Sequence, residues 1–253
     1  MDDRRKFFRA LGILIFTVGF ILGLFSNGLA IWGDLEGTGF WGNYEAASFD
    51  NDQKIDTRLH NLNCPIVMTT DETAEVTTNV TNKLNEPTKG IIQVDISDPQ
   101  VFTRIKSDRQ DIRYQAGERK DFSWTVTPQD RLYNRLVLVR VYLWQEFSYG
   151  VARTDHCGIL VIDSPELSSN LLVALAIGTS LLAMAGGFLL WLSASQPLSR
   201  KAKHFMFGMV WLGGSVLFGI IANLTGAFVV AAGLLVLTLV SLLSLLEILF
   251  LPK

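Results

Sequence analysis

From Phe7 to Trp32 the chain reads "FFRALGILIFTVGFILGLFSNGLAIW", and Arg9 carries the only charge in it. A helix rises about 1.5 Å per residue, so roughly 20 such residues cross a hydrocarbon core. Three more runs of this kind follow: "LLVALAIGTSLLAMAGGFLLWLSA" (171–194), "FMFGMVWLGGSVLFGIIA" (205–222) and "GAFVVAAGLLVLTLVSLLSLLEILFL" (226–251). They account for a hydrophobic content of 49% and a positive mean hydropathy of +0.30. The first run could also be a secretory signal, with "SNGLA" (26–30) as its cleavage site. A signal core has about 7–15 apolar residues, and this run is longer, so a retained span is expected. The expected organisation is an N-terminus and transmembrane helix 1 (1–32), a Gly/Trp-rich collar (33–63), a polar domain (64–165) and transmembrane helices 2–4 (166–253). Those last spans are placed at about 169–195, 204–222 and 225–251.

Basic residues near span ends set orientation. Arg4, Arg5, Lys6 and Arg9 precede or open span one, Arg200, Lys201 and Lys203 lie between spans two and three, and Lys253 follows span four. Four spans put all three groups on one side. The expectation is a multi-pass protein of the plasma (inner) membrane, with cytoplasmic N- and C-termini and residues 33–165 extracytoplasmic.

The extracytoplasmic block reads as all-β. Ile66–Thr70, Ala74–Thr81 and Gly90–Ser97 are rich in β-branched residues, and "DIRYQAGERKDFSWTVTPQD" (111–130) places Gly117 as a turn between two strands. Phe122, Trp124 and Val126 alternate with Ser123, Thr125 and Thr127, the period of a half-buried strand. Arg135–Glu146 and Cys157–Asp163 complete seven short strands, which suits two packed sheets.

The stretches "AEVTTNVTN", "GIIQVDIS", "YQAGERKDFSWTVTP" and "LVLVRVYLW" resemble bacterial immunoglobulin-like and CARDB-type adhesive domains over about 64–163. The resemblance implies a β-sandwich and no particular chemistry. The fold class expected is therefore an α+β membrane protein. Four transmembrane helices carry an all-β immunoglobulin-like sandwich inserted between helices 1 and 2.

Cys64 and Cys157 are the only cysteines, one at each end of the β block. First and last strands of such sandwiches can lie side by side, and lone cysteine pairs outside the cytoplasm usually oxidise. A Cys64–Cys157 disulfide is expected. The alternative left open is a zinc or copper site of His60, Cys64, His156 and Cys157, which needs free thiolates.

Other chemistry is sparse. No nucleophile elbow, phosphate loop, His-Glu-x-x-His or dinucleotide fingerprint occurs, so no catalytic residue and no cofactor is expected. Glu247, the one acid inside an apolar run, lies close enough to Lys253 to reach water, and His204 lies at the mouth of span three. A net charge of -2 without a basic tract argues against nucleic acid. Small residues at helix-packing spacing, among them Gly178, Gly187, Gly213 and Gly214, make helix–helix seams. "WGDLEG" and "WGNYEA" repeat nine residues apart; Gly33 is expected to end helix 1, with Trp32, Trp41 and Tyr44 as anchors of a docking collar. Glu36 and Glu45 lack the cleft that paired-carboxylate catalysis needs. The functional expectation is an accessory subunit, not an enzyme, that meets the bilayer and other membrane-protein subunits, in a respiratory or photosynthetic complex for example. A homo-oligomer stays open, and so does an envelope receptor, sensor or adhesion module.

Overall fold

The computed structural model describes residues 2–42, 59, 62–83, 85–98, 105–145, 153–164, 166–197 and 199–250. The chain divides into two units, one of Met1–Ile31 with Leu171–Lys253 and one of Trp32–Asn170. Helix α1, Asp2–Trp41, belongs to both.

The first unit holds α1 as far as Ile31, α2 (Ser169–Ala194) from Leu171 on, α3 (Arg200–Leu224) and α4 (Phe228–Phe250). Ser199 caps α3 by accepting from the Ala202 amide, and Gly226, at φ +73, turns the chain between α3 and α4. Among the described residues α1, α2 and α3 are long and apolar enough to cross a membrane, while α4 holds a shorter apolar segment, Phe228–Leu243. Phe16, Phe20, Met184, Trp191, Met209 and Val216 form the centre of their packing. Polar side chains there turn to one another or to backbone. Ser180 Oγ donates to Gly19 O at 2.7 Å, Asn27 Nδ2 to Val216 O at 3.2 Å, and Asn223 Nδ2 to Asn27 Oδ1 at 2.9 Å. In an apolar medium each such bond contributes about 0.6–2 kcal/mol.

The second unit contains two sheets. Strands β1 (Val67–Thr69), β3 (Thr88–Ser97), β4 (Ile105–Tyr114), β6 (Leu136–Gln145) and β7 (Arg153–Ile162) form one, in the order β1-β7-β6-β3-β4. The other pairs β2 (Ala74–Thr81) with β5 (Arg119–Val126). Inward residues alternate along β2, the end of β5, β6 and β7, as Val137, Val139 and Val141 do in β6, and meet Val76, Trp124 and Val126 of the smaller sheet in one core. Gly117, at φ +71, makes the expected turn between β4 and β5. β1 runs parallel to β7, Val67 opposite Leu160, and Cys64 just before β1 is bonded to Cys157 in β7. The crosslink closes 93 residues of chain, a loop for which the chain-entropy model gives about 4–5 kcal/mol.

Among the strand and helix limits that differ from expectation, three bear on the seam and its sheet. β7 begins at Arg153, not at Cys157, because the outer face of the sheet accommodates Thr154 and His156. β4 begins at Ile105, six residues before Asp111. Its first seven residues are exposed on both faces, so no apolar alternation marks it; a charged edge strand of this kind resists pairing with other chains. Above all, α1 does not stop at Gly33. It continues through Gly33, Gly37 and Gly39 to Trp41, and Gly42, at φ +81, ends it by donating to Thr38 O at 2.9 Å. The rest of the expected collar, 43–58 and 60–61, lies outside the described residues, Tyr44 and Glu45 included.

Candidate functional site

Within the second unit, the last two and a half turns of α1 lie on the outer face of the five-stranded sheet. Four residues apart on a helix means one face, and Gly33 and Gly37 are so spaced. A Cβ on Gly33 would stand 2.6 Å from Gly158 O of β7, and one on Gly37 would stand 2.9 Å from the His156 ring. Helix and strand backbones therefore approach as closely as glycine on both sides allows. Gly39, on the far side, has nothing within 4 Å. Trp41 packs with Leu132, Leu136 and Leu138, and Trp32, Phe40 and Leu160 pack around them.

Polar groups fix the direction of this helix end. Thr38 Oγ1 donates to Asp34 O at 3.0 Å and lies 2.7 Å from His156 Nε2. At the helix terminus Arg140 Nη1 donates to Trp41 O at 3.3 Å, a cation on the negative end of the dipole. Arg140 Nη2 donates to Asp95 Oδ2 at 3.0 Å, and Ser107 Oγ (2.7 Å) and Gln93 Nε2 (2.8 Å) donate to Asp95 Oδ1. The pair is nearly covered, with side-chain exposures of 14% and 5%. The Arg140 guanidinium lies 4.4 Å from the centre of the Trp41 ring and 4.2 Å from that of Tyr142. Tyr142 in turn stacks on Trp144 at 5.1 Å. Trp41, Arg140, Tyr142 and Trp144 thus form one column of flat groups, and Trp144, 36% exposed, ends it.

Glu72 performs a similar task beside β1. It accepts from the amides of Ser169, the first residue of α2, at 2.8 Å and of Thr69 at 3.3 Å. Desolvation raises its pKa, but the bonds from Ser169 and Thr69 outweigh that and hold it below the ordinary value.

The expected site residues distribute as follows. Trp32 and Trp41 both belong to the helix-on-sheet seam, and Trp32 Nε1 donates to Glu36 at 2.8 Å, so Glu36 serves its own helix. Gly187 is packed against the Gly12 and Phe16 backbone of α1, and a Cβ on Gly213 would stand 3.8 Å from the Phe16 ring. A Cβ on Gly178 or Gly214 would meet nothing within 4 Å beyond its own helix. The disulfide occupies both sulfurs, which rules out the zinc or copper alternative through Cys64 and Cys157; His156 faces Thr38, and His60 lies outside the described residues. No group of three or more His, Cys, Asp or Glu able to hold a metal occurs among the described residues.

Sequence reasoning passed over Asp95, Thr38 and Arg140. One signal was available: in "RVYLW" (140–144) the two-residue period puts Arg140, Tyr142 and Trp144 on one face, opposite Val141 and Leu143.

No family model matches the sequence, and no curated protein matches it. Among the solved structures that match are β-glucuronidases and β-glucosidases. A β-glucuronidase from Bacteroides uniformis is 20% identical with a TM-score of 0.30, over 39% of this chain and 12% of that one. A β-glucosidase from Listeria innocua is 20% identical with a TM-score of 0.28, over 40% and 15%. A β-glucosidase from Erythrobacter marinus is 14% identical with a TM-score of 0.27, over 38% and 14%. The expectation, drawn from missing motifs, that the chain is not an enzyme is withdrawn, since the proteins it is similar to here are enzymes. The chain spans less than a sixth of those proteins, and at these TM-scores the likeness assigns it no reaction.

Proposed function

We propose that the chain is a membrane-embedded docking subunit whose helices and extracytoplasmic β domain bind other membrane proteins. In this reading four helices span the plasma (inner) membrane. The chain ends and residues 195–204 face the cytoplasm, and the sandwich, of immunoglobulin-like type, projects on the other side. The observation that carries the reading is the division of glycines in the helical unit. Gly12, Gly19 and Gly187 are used up in contacts between its own helices, whereas a Cβ on Gly178, Gly186 or Gly214 would enter open space. Outward glycines on apolar helices give a second chain's helix a place for close approach, the main source of helix association in lipid.

Gentle detergent extraction followed by mass spectrometry of stoichiometric co-purifying chains tests this. Gly178→Leu and Gly214→Leu should release a partner while the chain itself stays folded. A lone chain at every detergent strength refutes the proposal, and recovery of a second copy of the same chain reads it as a homo-oligomer. One observation favours an envelope receptor instead: Trp144 presents an aromatic ring at the end of the stacked column. Under that second reading Trp144→Ala abolishes binding of an external ligand and leaves co-purifying subunits unchanged.

A further inference from the structure

The helical unit gathers its basic side chains at one end, and its packing explains how. Trp191 near the end of α2 touches two helices at once. Its backbone nitrogen lies 2.7 Å from where a Gly12 Cβ would be, and its ring centre is 5.3 Å from that of Phe205. Gly12 of α1 and Phe205 of α3 are therefore at one level. Arg9 precedes Gly12 by about one turn, and Arg200 and Lys203 precede Phe205 by up to about a turn and a half, so all three lie beyond that level at the same end. Arg9 Nε donates to Ala194 O at 2.9 Å, which fixes the guanidinium on the last carbonyls of α2. Arg4, Arg5 and Lys6 continue the patch, and all six cations are exposed. Opposing charge is smaller: Asp2 and Asp3 open α1, where Asp3 pairs with Lys6 at 3.9 Å, Glu247 belongs to the last turn of α4, and "SQPLSRKAKH" (195–204) contains no acid.

Apolar surface adjoins these cations. Phe7 is 62% exposed with Phe8 edge-on to it at 5.8 Å, and Phe207 of α3 is exposed as well. Cations bordered by exposed aromatic and aliphatic surface match an amphiphile whose anionic head is joined to acyl chains; a free phosphate has no use for the second half. A guanidinium already positioned by a carbonyl keeps its fork of Nη donors for phosphate oxygens. We infer that this end of the helical unit, built from Arg9 of α1 with Arg200 and Lys203 of α3, binds the phosphate headgroup of an anionic phospholipid. The inference rests on the membrane-spanning reading of the helices, and not on any partner subunit.

The full chain, in nanodiscs of phosphatidylcholine mixed with phosphatidylglycerol or cardiolipin, is released into the gas phase and its retained lipids are identified by native mass spectrometry. Anionic lipid is expected to be enriched over phosphatidylcholine. The triple variant Arg9→Gln, Arg200→Gln, Lys203→Gln should reduce that enrichment roughly tenfold to a hundredfold, given the attraction per basic residue at an anionic surface. Arg9→Lys keeps the charge but not the fork and should fall between. Equal retention of both lipid classes by the native chain overturns the inference. Undiminished enrichment in the triple variant does too, as does displacement of the lipid by inorganic phosphate at matched concentration. Should the triple variant misfold, seen as loss of helical circular dichroism or a lowered thermal midpoint, Lys203→Gln alone must still lower enrichment, or the inference fails. Loss of a partner subunit in the same preparation changes none of these readings, so the two proposals fail separately.

Discussion

Helix α1 uses glycine for close packing in both units, but its neighbours differ. In the helical unit Gly12 and Gly19 meet the backbone of α2, and the added hydrogen bonds are neutral ones, Ser180 to Gly19 O and the Asn27–Asn223 pair. In the sheet unit Gly33 and Gly37 meet β7, and the added bonds involve an ion pair and an imidazole. The difference follows from cost. A charge is expensive to hold inside an apolar bundle, whereas on the outer face of the sheet's central strand Arg140 is neutralised by Asp95, donates to Trp41 O and stacks its faces on aromatic rings. Glycine provides closeness in both places; the polar partners are set by the surrounding medium.

The sharpest way to separate the two regions is to remove a polar partner from each. β7 carries the seam on one face and Cys157 on the other, so Cys64→Ala with Cys157→Ala sets the scale. About 4–5 kcal/mol of the sheet unit's stability should go, read as a fall in its thermal midpoint that reductant reproduces in the native chain. Arg140→Met comes next. It leaves Asp95 covered and unpaired and uncaps Trp41 O, so about 3–5 kcal/mol is expected, largely restored when Asp95→Asn is added. Asn27→Leu, the counterpart in the helical unit, should cost only about 1 kcal/mol. Equal losses at Arg140 and Asn27 would remove the distinction drawn here.

Glycine substitutions sharpen it further. Gly33→Val and Gly12→Val each force backbone apart and should each destabilise by about 1–3 kcal/mol, in denaturant titrations of their own unit. Gly39→Ala, on the same helix with open space around it, should instead stabilise by up to about 1 kcal/mol. A loss at Gly39 as large as at Gly33 would mean that helix continuity and not backbone approach sets the need for glycine.

These same residues show what the sequence made legible. β2 follows from its β-branched run, and β5 from Phe122, Trp124 and Val126, because one buried face imposes a two-residue period. The disulfide follows from two lone cysteines in a block expected on an oxidising side. The end of α1 was misread because glycine weakens a helix on average, and propensity carries no information about a strand lying 2.6 Å from a missing Cβ. Spacing did contain the clue, since Gly33 and Gly37 lie four apart; the opposing Gly158 is more than a hundred residues away and becomes a neighbour only in the fold. The start of β4 was lost for the opposite reason, as a strand exposed on both faces leaves no pattern to read. Arg140 and Asp95 escaped because a pairing across β6 and β3 is a fact of register.

The smallest effect concerns the start of α2. Glu72, held below its ordinary value of 4.5 by the Ser169 and Thr69 amides, binds as a carboxylate. A folded-state pKa depressed below the unfolded one contributes stability that is complete above 4.5 and lost as pH falls through the lowered value. The native chain should therefore lose a small part of its stability on acidification below that point, while Glu72→Gln should be slightly less stable at neutral pH and nearly level with the native chain in acid. Thermal midpoints of both proteins across that acid range supply the comparison. Parallel curves would show that Glu72 contributes shape but not charge, and would leave Arg140 as the charged cap on a helix end for which the sheet unit has a measurable need.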